Sequence, residues 1–581
     1  MANSSSQKSG FQLNLPGIKG SGSKKGNKKR SVPKPVFKPY HQDQMMLLPP
    51  SLEELIPPNH LVRVINETVE RLDIEPLLKT YKGGGTSSYH PLMLLKVLLY
   101  AYVEGIYSSR KIAKALRENV HFMWLSGMQR PDFRTLNNFR SGRLKEHIDT
   151  IFASLLLFLV ESGYVDLESY FVDGSKFMAN AHRYSYVWKK NVTRYRKSVL
   201  ERIEQLLAEI ERVNEEENRR YGNKDLEELG DRGSVDEGER DSLVRELNEE
   251  LGQLKPPDEP VKEEQEPKSE EISSKIEELE KQLEEQEGDG TSQKKRRLLK
   301  QVKEQLLPRL RRYEAQAEQL GKRGNYSKTD PDATFMRFKG DVLAAGYNIL
   351  MGCQNQFILN FSVHQNAADS ACFIAHMEKF RALSGKLPEN AVGDGGFGNE
   401  ENYRYLQRHG IGNYLKDNLF HREKKRKQKA PYSRSNFTYD EQRDVFICPE
   451  GQELFFEEER LKETGTGYLR RIRQYRSRSC GGCPARRQCC KGEGERGVEF
   501  SPLLETLKKQ ARCNLESAKG QRLRRRRGVE IETIFGHLKF NKKYSRFLLR
   551  GLEKVNVELG LLSIAHNLEK MFNLQTQYAV T

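Results

Sequence analysis

Tyr170–Gly174 reads YFVDG: three residues that favour extended backbone run into an aspartate, and a glycine follows. This predicts a short strand, Tyr170–Val172, ending on the carboxylate of Asp173, with Gly174 letting a ligand or a second backbone come close. The same punctuation returns at Ala391–Asp394 (AVGD), a strand ending on Asp394 before Gly395 and Gly396. Between the two, Gly346–Met351 and Phe357–Val363 predict a β-hairpin around the turn cluster GCQNQ. Ala367–Leu383 predicts an amphipathic helix, and Glu400–Gly410 a helix with a glycine stop. Two helices close the chain, at about Val529–Phe540 and Glu553–Asn573. The order strand, hairpin, helix, strand, helix, helix describes an α/β core in which Asp173 and Asp394 share one edge of a mixed sheet.

The first closing helix carries RRRRGVEIETIFGHLK, Arg524–Lys539. Residues seven apart lie on one face of a helix, so Glu532 and Lys539 look at the same partner, with Phe535 and Gly536 between them. Glu530 points elsewhere. Hard divalent cations prefer carboxylate oxygens, and two Mg²⁺ ions about 3.5–4 Å apart can activate a nucleophile and stabilise a leaving oxygen. Taken singly, each Asp-Gly is an ordinary turn and Glu532 an ordinary surface carboxylate. Asp173, Asp394 and Glu532 on elements in this order form a specific pattern. Asp369 (HQNAADS) and Asp332 (TDPDATF) read as spare carboxylates, structural or supporting the metal ligands from behind rather than binding an ion themselves.

The 581 residues carry a net charge of +17, and the pI is about 9.2. A polyanionic partner is expected, with DNA or RNA ahead of an anionic membrane surface. No apolar run reaches the roughly 20 residues that cross a bilayer, and MANSSSQKSG lacks the apolar core of a secretory signal, so a cytoplasmic location is expected.

Residues 1–45 are rich in Ser, Gly, Lys and Pro and read as a disordered basic tail. Residues 46–160 read as a helical DNA-binding domain. Its short basic helices at Ser108–Gly127 and Arg130–Leu144 place Arg110, Lys111, Arg134 and Arg140 as a helix-turn-helix reader would. The core then divides into 161–194, 325–415 and 520–581. Residues 195–324 read as a helical hairpin arm with a flexible, acidic tip. Residues 416–519 read as a basic, polar module holding five of the eight cysteines. Cys448, Cys480, Cys483 and Cys489 (or Cys490 in its place) could furnish four thiolates to a structural Zn²⁺, with a metal-free reduced cluster as the alternative. The arginines around them suggest contact with DNA.

YFVDGSKFMANAHRYS (Tyr170–Ser185), AVGDGGFGNEENYRYL (Ala391–Leu406) and RRRRGVEIETIFGHLK resemble the DDE-type transposases of bacterial insertion sequences. The resemblance spans the helical region from about Leu47 to Leu159 and the core from Tyr170 to about Lys570. It implies an RNase H-like catalytic core with an all-α N-terminal domain and two insertions, the helical arm and the Cys-rich module. It also implies a triad of Asp173, Asp394 and Glu532 holding two Mg²⁺, with Mn²⁺ able to substitute. The lysine that this family places seven residues after its glutamate is matched by Lys539. The family's upstream tyrosine falls at Arg525 and its arginine at Gly528, with Arg527 adjacent. Implied, too, are nicking at transposon ends, attack of the freed 3′-OH on target DNA, Lys539 and Arg527 on phosphates near the scissile bond, and a homodimer on DNA, at the nucleoid of a bacterial cell. The rival expectations are an RNase H-like nuclease that cuts without joining, and a DNA-binding transposase derivative that has lost catalysis.

Overall fold

Strand β1 (Ser169–Met178) is the spine of the principal sheet in the computed structural model, which describes residues 51–81, 88–221, 267–284, 290–420, 430–490, 492 and 494–580. The basic tail and the tip of the arm, residues 222–266, lie outside the described residues. Five further strands complete the sheet: β2 (Thr334–Arg337), β3 (Leu343–Gln354), β4 (Phe357–His364), β5 (Asn390–Gly393) and β6 (Gly412–Leu415). On one side β1 pairs antiparallel with β3, which also pairs with β4 and β2. On the other side β1 runs parallel to β5, and β5 parallel to β6. The short strand expected to stop at Val172 runs on to Met178, because Phe171–Met178 stay in register with β3. The β3–β4 hairpin turns on Asn355 and Gln356, both at positive φ, which suits the right-handed twist of the strands it joins.

Where β1 and β5 pair in parallel, Ser169–Val172 and Asn390–Gly393 are buried, as strands covered on both faces must be. Helix α1 (Pro91–Val103) is buried on nearly every side, and α2 (Ile148–Glu161) buries Ile151, Phe152, Leu155 and Leu159. Helix α3 (Asp369–Ser384) packs on β4 and β3, and α4 (Glu400–Arg408) lies between β5 and β6 in the chain. Helices α5 (Pro502–Glu516) and α6 (Ala518–Arg527) lead back to the sheet, and the closing helix α7 (Leu552–Val580) packs against β4, α1 and α2. One hydrophobic core therefore runs from Ile56 in the N-terminal helices through the sheet to Met571.

The helices of the arm, Lys189–Tyr221, Ser269–Glu284 and Gly290–Gln301 continuing through a π turn into Leu307–Leu320, form a small bundle rather than a two-helix hairpin. Ile203, Leu206 and Ile210 meet Ile276, Val302 and Leu310 in a separate core. At the base, Tyr186–Trp188 pairs antiparallel with Asn325–Ser327, so the chain leaves and re-enters the main body side by side.

The residues read as a basic, polar module, for which the sequence predicted no strands, fold into a second, antiparallel sheet: β7 (Thr438–Asp440), β8 (Val445–Ile447), β9 (Glu453–Glu463), β10 (Leu469–Ser477) and β11 (Gly497–Phe500). Acids on β9 face bases on β10, with Glu459 accepting from Arg473 Nε at 3.0 Å and Glu457 from Arg476 Nε at 2.8 Å. A small aromatic core of Phe446, Tyr475 and Phe500 backs them.

Candidate active site

Parallel pairing sets the geometry of the site. Phe171 lies beside Val392, so Asp173 and Asp394 each stand two residues past the last β1–β5 pair, at the C-terminal end where α/β sheets present ligands. Asp173 Oδ1 accepts from the N–H of Gly174 at 2.8 Å, and Asp394 Oδ1 from that of Gly396 at 2.8 Å. The glycines expected to relieve crowding at the two strand ends thus also supply backbone donors to the carboxylates.

The third carboxylate arrives on the segment after α6. Residues Gly528–Glu532 form a π turn, with a second at His537–Asn541. Five residues apart on an α-helix, Arg527 and Glu532 would stand about 140° apart, but an i→i+5 turn brings them to one side. Arg527 Nη1 donates to Glu532 Oε1 at 3.2 Å, while Nη2 donates to Asp173 Oδ2 at 2.7 Å and stands 4.0 Å from Asp394 Oδ2. The three expected carboxylates are therefore gathered around one guanidinium. Glu530 is buried and engaged elsewhere, by Arg526 and by the Gln356 N–H. This is the physical reason for preferring Glu532, which is mostly exposed.

A fourth carboxylate is present that the sequence reading set aside. Asp369, the first residue of α3, receives a hydrogen bond from Asn348 Nδ2 at 2.7 Å, and its carboxylate occupies the space a side chain at Gly174 would fill. Beyond the second strand end, a side chain at Gly396 would meet both Asp394 and Asp369. No sequence spacing signals this approach; only the return of the β3–β4 hairpin into α3 creates it. Burial pushes Asp173 up to about 6, against the pull of Arg527 and helped by repulsion from Asp394 and Asp369. Burial likewise raises Asp369, opposed by the Asn348 hydrogen bond.

Lys539 reaches β1 two places beyond Asp173 on the same face, donating to Ser175 Oγ at 2.5 Å and to the Lys176 carbonyl at 2.9 Å. Burial, with Lys339 nearby, lowers it to about 8. Lys539 thus meets β1 directly, whereas Glu532 reaches it only through Arg527, because two π turns break the α-helical spacing between them. Arg527, expected on phosphates, is instead largely buried among the carboxylates.

For divalent cations the donor chemistry fits: hard oxygens converge, and the Arg527 guanidinium already stands among them as a positive charge. Among the described residues, however, no three carboxylates, thiols or imidazoles are grouped as a ready ligand set for a metal. With the guanidinium interposed, the oxygens are spaced for a fork of nitrogens rather than for a single ion.

The same holds at the cysteines, none of which is disulfide-bonded. Cys448, Cys480, Cys483, Cys489 and Cys490 line one small cavity beside the second sheet, and the Gln452 N–H points to Cys448 Sγ at 3.2 Å. Three of the surrounding arginines pair with acids of the second sheet, Arg471 and Arg473 with Glu459 and Arg476 with Glu457.

In the N-terminal helices, Arg110, Lys111 and Arg134 are exposed, and Arg110 and Arg134 flank the Phe133 ring beside a shallow pocket. Arg140 must be corrected. It is 3% exposed and bonded to the Tyr107 carbonyl at 2.7 Å, with Tyr102, Ser109 and the buried Glu558 around it. A guanidinium so enclosed holds the core together and is withdrawn from DNA.

Two family patterns match the chain: a transposase DDE domain over residues 447–572 and a transposase domain (DUF772) over residues 50–142. The chain resembles DDE transposases of the insertion-sequence type. A transposase DDE domain implies an RNase H-like fold, and the mixed sheet with helices is of that α/β kind. The DDE match includes Glu532, Lys539 and the five clustered cysteines, whereas Asp173 and Asp394 precede it. Both families tie the chain to DNA transposition and so to DNA as a partner. Among the described residues no helix is long and apolar enough to cross a membrane. No curated protein and no solved structure matches the chain.

Proposed function

We propose that the chain cleaves DNA at transposon ends and transfers the freed 3′-OH into target DNA. The observation that carries this reading is the gathering of Asp173, Asp394 and Glu532 around the Arg527 guanidinium at the C-terminal edge of β1 and β5. These carboxylates would hold two Mg²⁺, or Mn²⁺ in their place, which when bound supply Lewis-acid stabilisation of phosphoryl oxygens and a more acidic attacking hydroxyl. Asp173, fixed by its own strand and by the Gly174 N–H, anchors the site. Asp394 and the exposed Glu532 leave it open on one side for a DNA strand. Lys539 sets a cation beside the path of the phosphate backbone.

In the first step a water oxygen bonds to phosphorus, the bond from phosphorus to the 3′-oxygen breaks, and that oxygen leaves as the 3′-OH. In the second, this 3′-OH bonds to a target phosphorus and displaces the target's own 3′-oxygen. Neither step needs a covalent enzyme intermediate. Arg110, Lys111 and Arg134 would hold backbone phosphates from the N-terminal helices. The arm and the second sheet would be insertions into the RNase H-like core, and synapsis of two ends calls for a homodimer on DNA.

Precleaved ends incubated with plasmid and Mg²⁺ test the reaction. Joined product is expected from the native protein and none from Asp173→Asn, Asp394→Asn or Glu532→Gln, each still binding DNA. A substitution that leaves joining intact removes that residue from the triad, and cutting without joining identifies a nuclease instead. The cysteine cavity is proposed to hold structural Zn²⁺ through Cys448, Cys480, Cys483 and Cys489. Metal analysis of purified protein should then find about one zinc per chain, lost in Cys480→Ser; a folded, zinc-free protein refutes the assignment.

A further inference from the structure

Arg527 stands where a cation belongs, and the local backbone is bent to put it there. Of the four consecutive arginines, Arg526 is spent on Glu530 and Asn355, and Arg524 stacks over Phe420. Arg527 alone is shown reaching the triad, with a side chain 10% exposed. Its contact with Glu532 depends on the π turn, because α-helical geometry would send the two side chains to different sides. Its two terminal nitrogens serve different carboxylates, while Nε is buried without a hydrogen-bond partner. The guanidinium is thus held at its tip only, by the charges it neutralises.

Those charges need a cation. Asp173 and Asp369 are both half-buried or deeper and sit close enough to Asp394 to repel it. Without a positive charge among them the carboxylates would separate or take up protons. A planar fork can bridge two carboxylates at once, which an ammonium does less well.

We propose that Arg527 is a positioning residue, the resident counter-cation of the site: it gathers Asp173, Asp394 and Glu532 while no divalent ion is bound, and it is displaced from them when one binds. The proposal rests on the reading of these carboxylates as metal ligands. It explains why oxygens of the right chemistry are spaced for a fork rather than for an ion. It also assigns Arg527 a task distinct from phosphate contact.

The test is Mn²⁺ binding to the full chain without DNA, followed by the electron paramagnetic resonance signal of free Mn²⁺. Native protein should bind Mn²⁺, and Asp173→Asn should lose most of that binding. Arg527→Gln removes the competitor, so its affinity for Mn²⁺ should rise by about tenfold, the order expected for losing one charge-assisted hydrogen-bonded partner. Arg527→Lys keeps the charge without the fork and should fall between. If Arg527→Gln, or Arg527→Lys should the first fail to fold, binds Mn²⁺ no more tightly than native protein while Asp173→Asn still loses it, the counter-cation role is overturned and the metal site stands. Unchanged Mn²⁺ affinity with weakened DNA binding would assign Arg527 to phosphate. Binding in Asp173→Asn equal to native overturns the metal-site reading itself.

Discussion

Asp173 is the most enclosed of the three carboxylates, and its surroundings give the site a pH signature. Its folded value of about 6 lies above that of an unfolded aspartate, so the folded state holds the proton more tightly. The stability it contributes is therefore complete below about pH 4 and is lost as pH rises through about 6. In metal-free buffer, thermal melts should show Asp173→Asn gaining on the native protein as pH rises from about 4 to about 7; parallel curves would contradict this. At this scale Asp173, Asp394 and Glu532 were legible in the sequence, because strand-end aspartates followed by glycine and a helical glutamate leave local marks. Asp369 and the true place of Arg527 were not. One is brought in by a helix whose position depends on a hairpin, the other by a π turn that ordinary helical spacing hides. Arg140 was misread for a related reason, since a basic residue on a short helix looks the same in sequence whether it faces DNA or Glu558.

Elements differ in how plainly their patterns announce them. The buried strands β1, β3 and β5 are dense in apolar residues and stood out, though pairing lengthened β1 and β3 beyond their local signals. Gly352 on β3 shows how tightly that pairing is packed: a methyl group there would overlap the phenol end of Tyr170, whose hydroxyl shares a hydrogen bond with His376 Nε2 at 2.7 Å. Gly352→Ala should lower stability by about 1–3 kcal/mol, as overpacking of a close-packed core does; a denaturant midpoint unchanged from native would refute it. The second sheet escaped the sequence reading because β9 and β10 set opposite charges against one another rather than alternating apolar with polar residues. Those exposed pairs contribute little individually. Phe446, Tyr475 and Phe500 supply most of its cohesion, and they are too far apart in sequence to form a local pattern.

At the scale of the molecule, the N-terminal helices and the principal sheet share one core, tied by a buried ion pair. Arg140 stands 3.9 Å from Glu558 of α7, which also accepts the Leu548 and Leu549 N–H groups at 2.9 Å. Removing one partner of such a pair leaves a buried charge uncompensated, so Arg140→Met should cost about 3–5 kcal/mol in chemical denaturation. A loss below about 1 kcal/mol, the range of a surface pair, would contradict that role. The sequence by itself determined the α/β class, the order of β1, the β3–β4 hairpin, α3, β5 and α4, the basic character and the three candidate carboxylates, since periodicity, charge and turn residues act over a few neighbours. Only the tertiary structure decided what surrounds them: Arg527 among the carboxylates, Asp369 behind Gly174, Arg140 in the core and five thiols around one cavity. These depend on residues far apart in the chain, whose meeting is fixed by strand pairing and packing rather than by any local pattern.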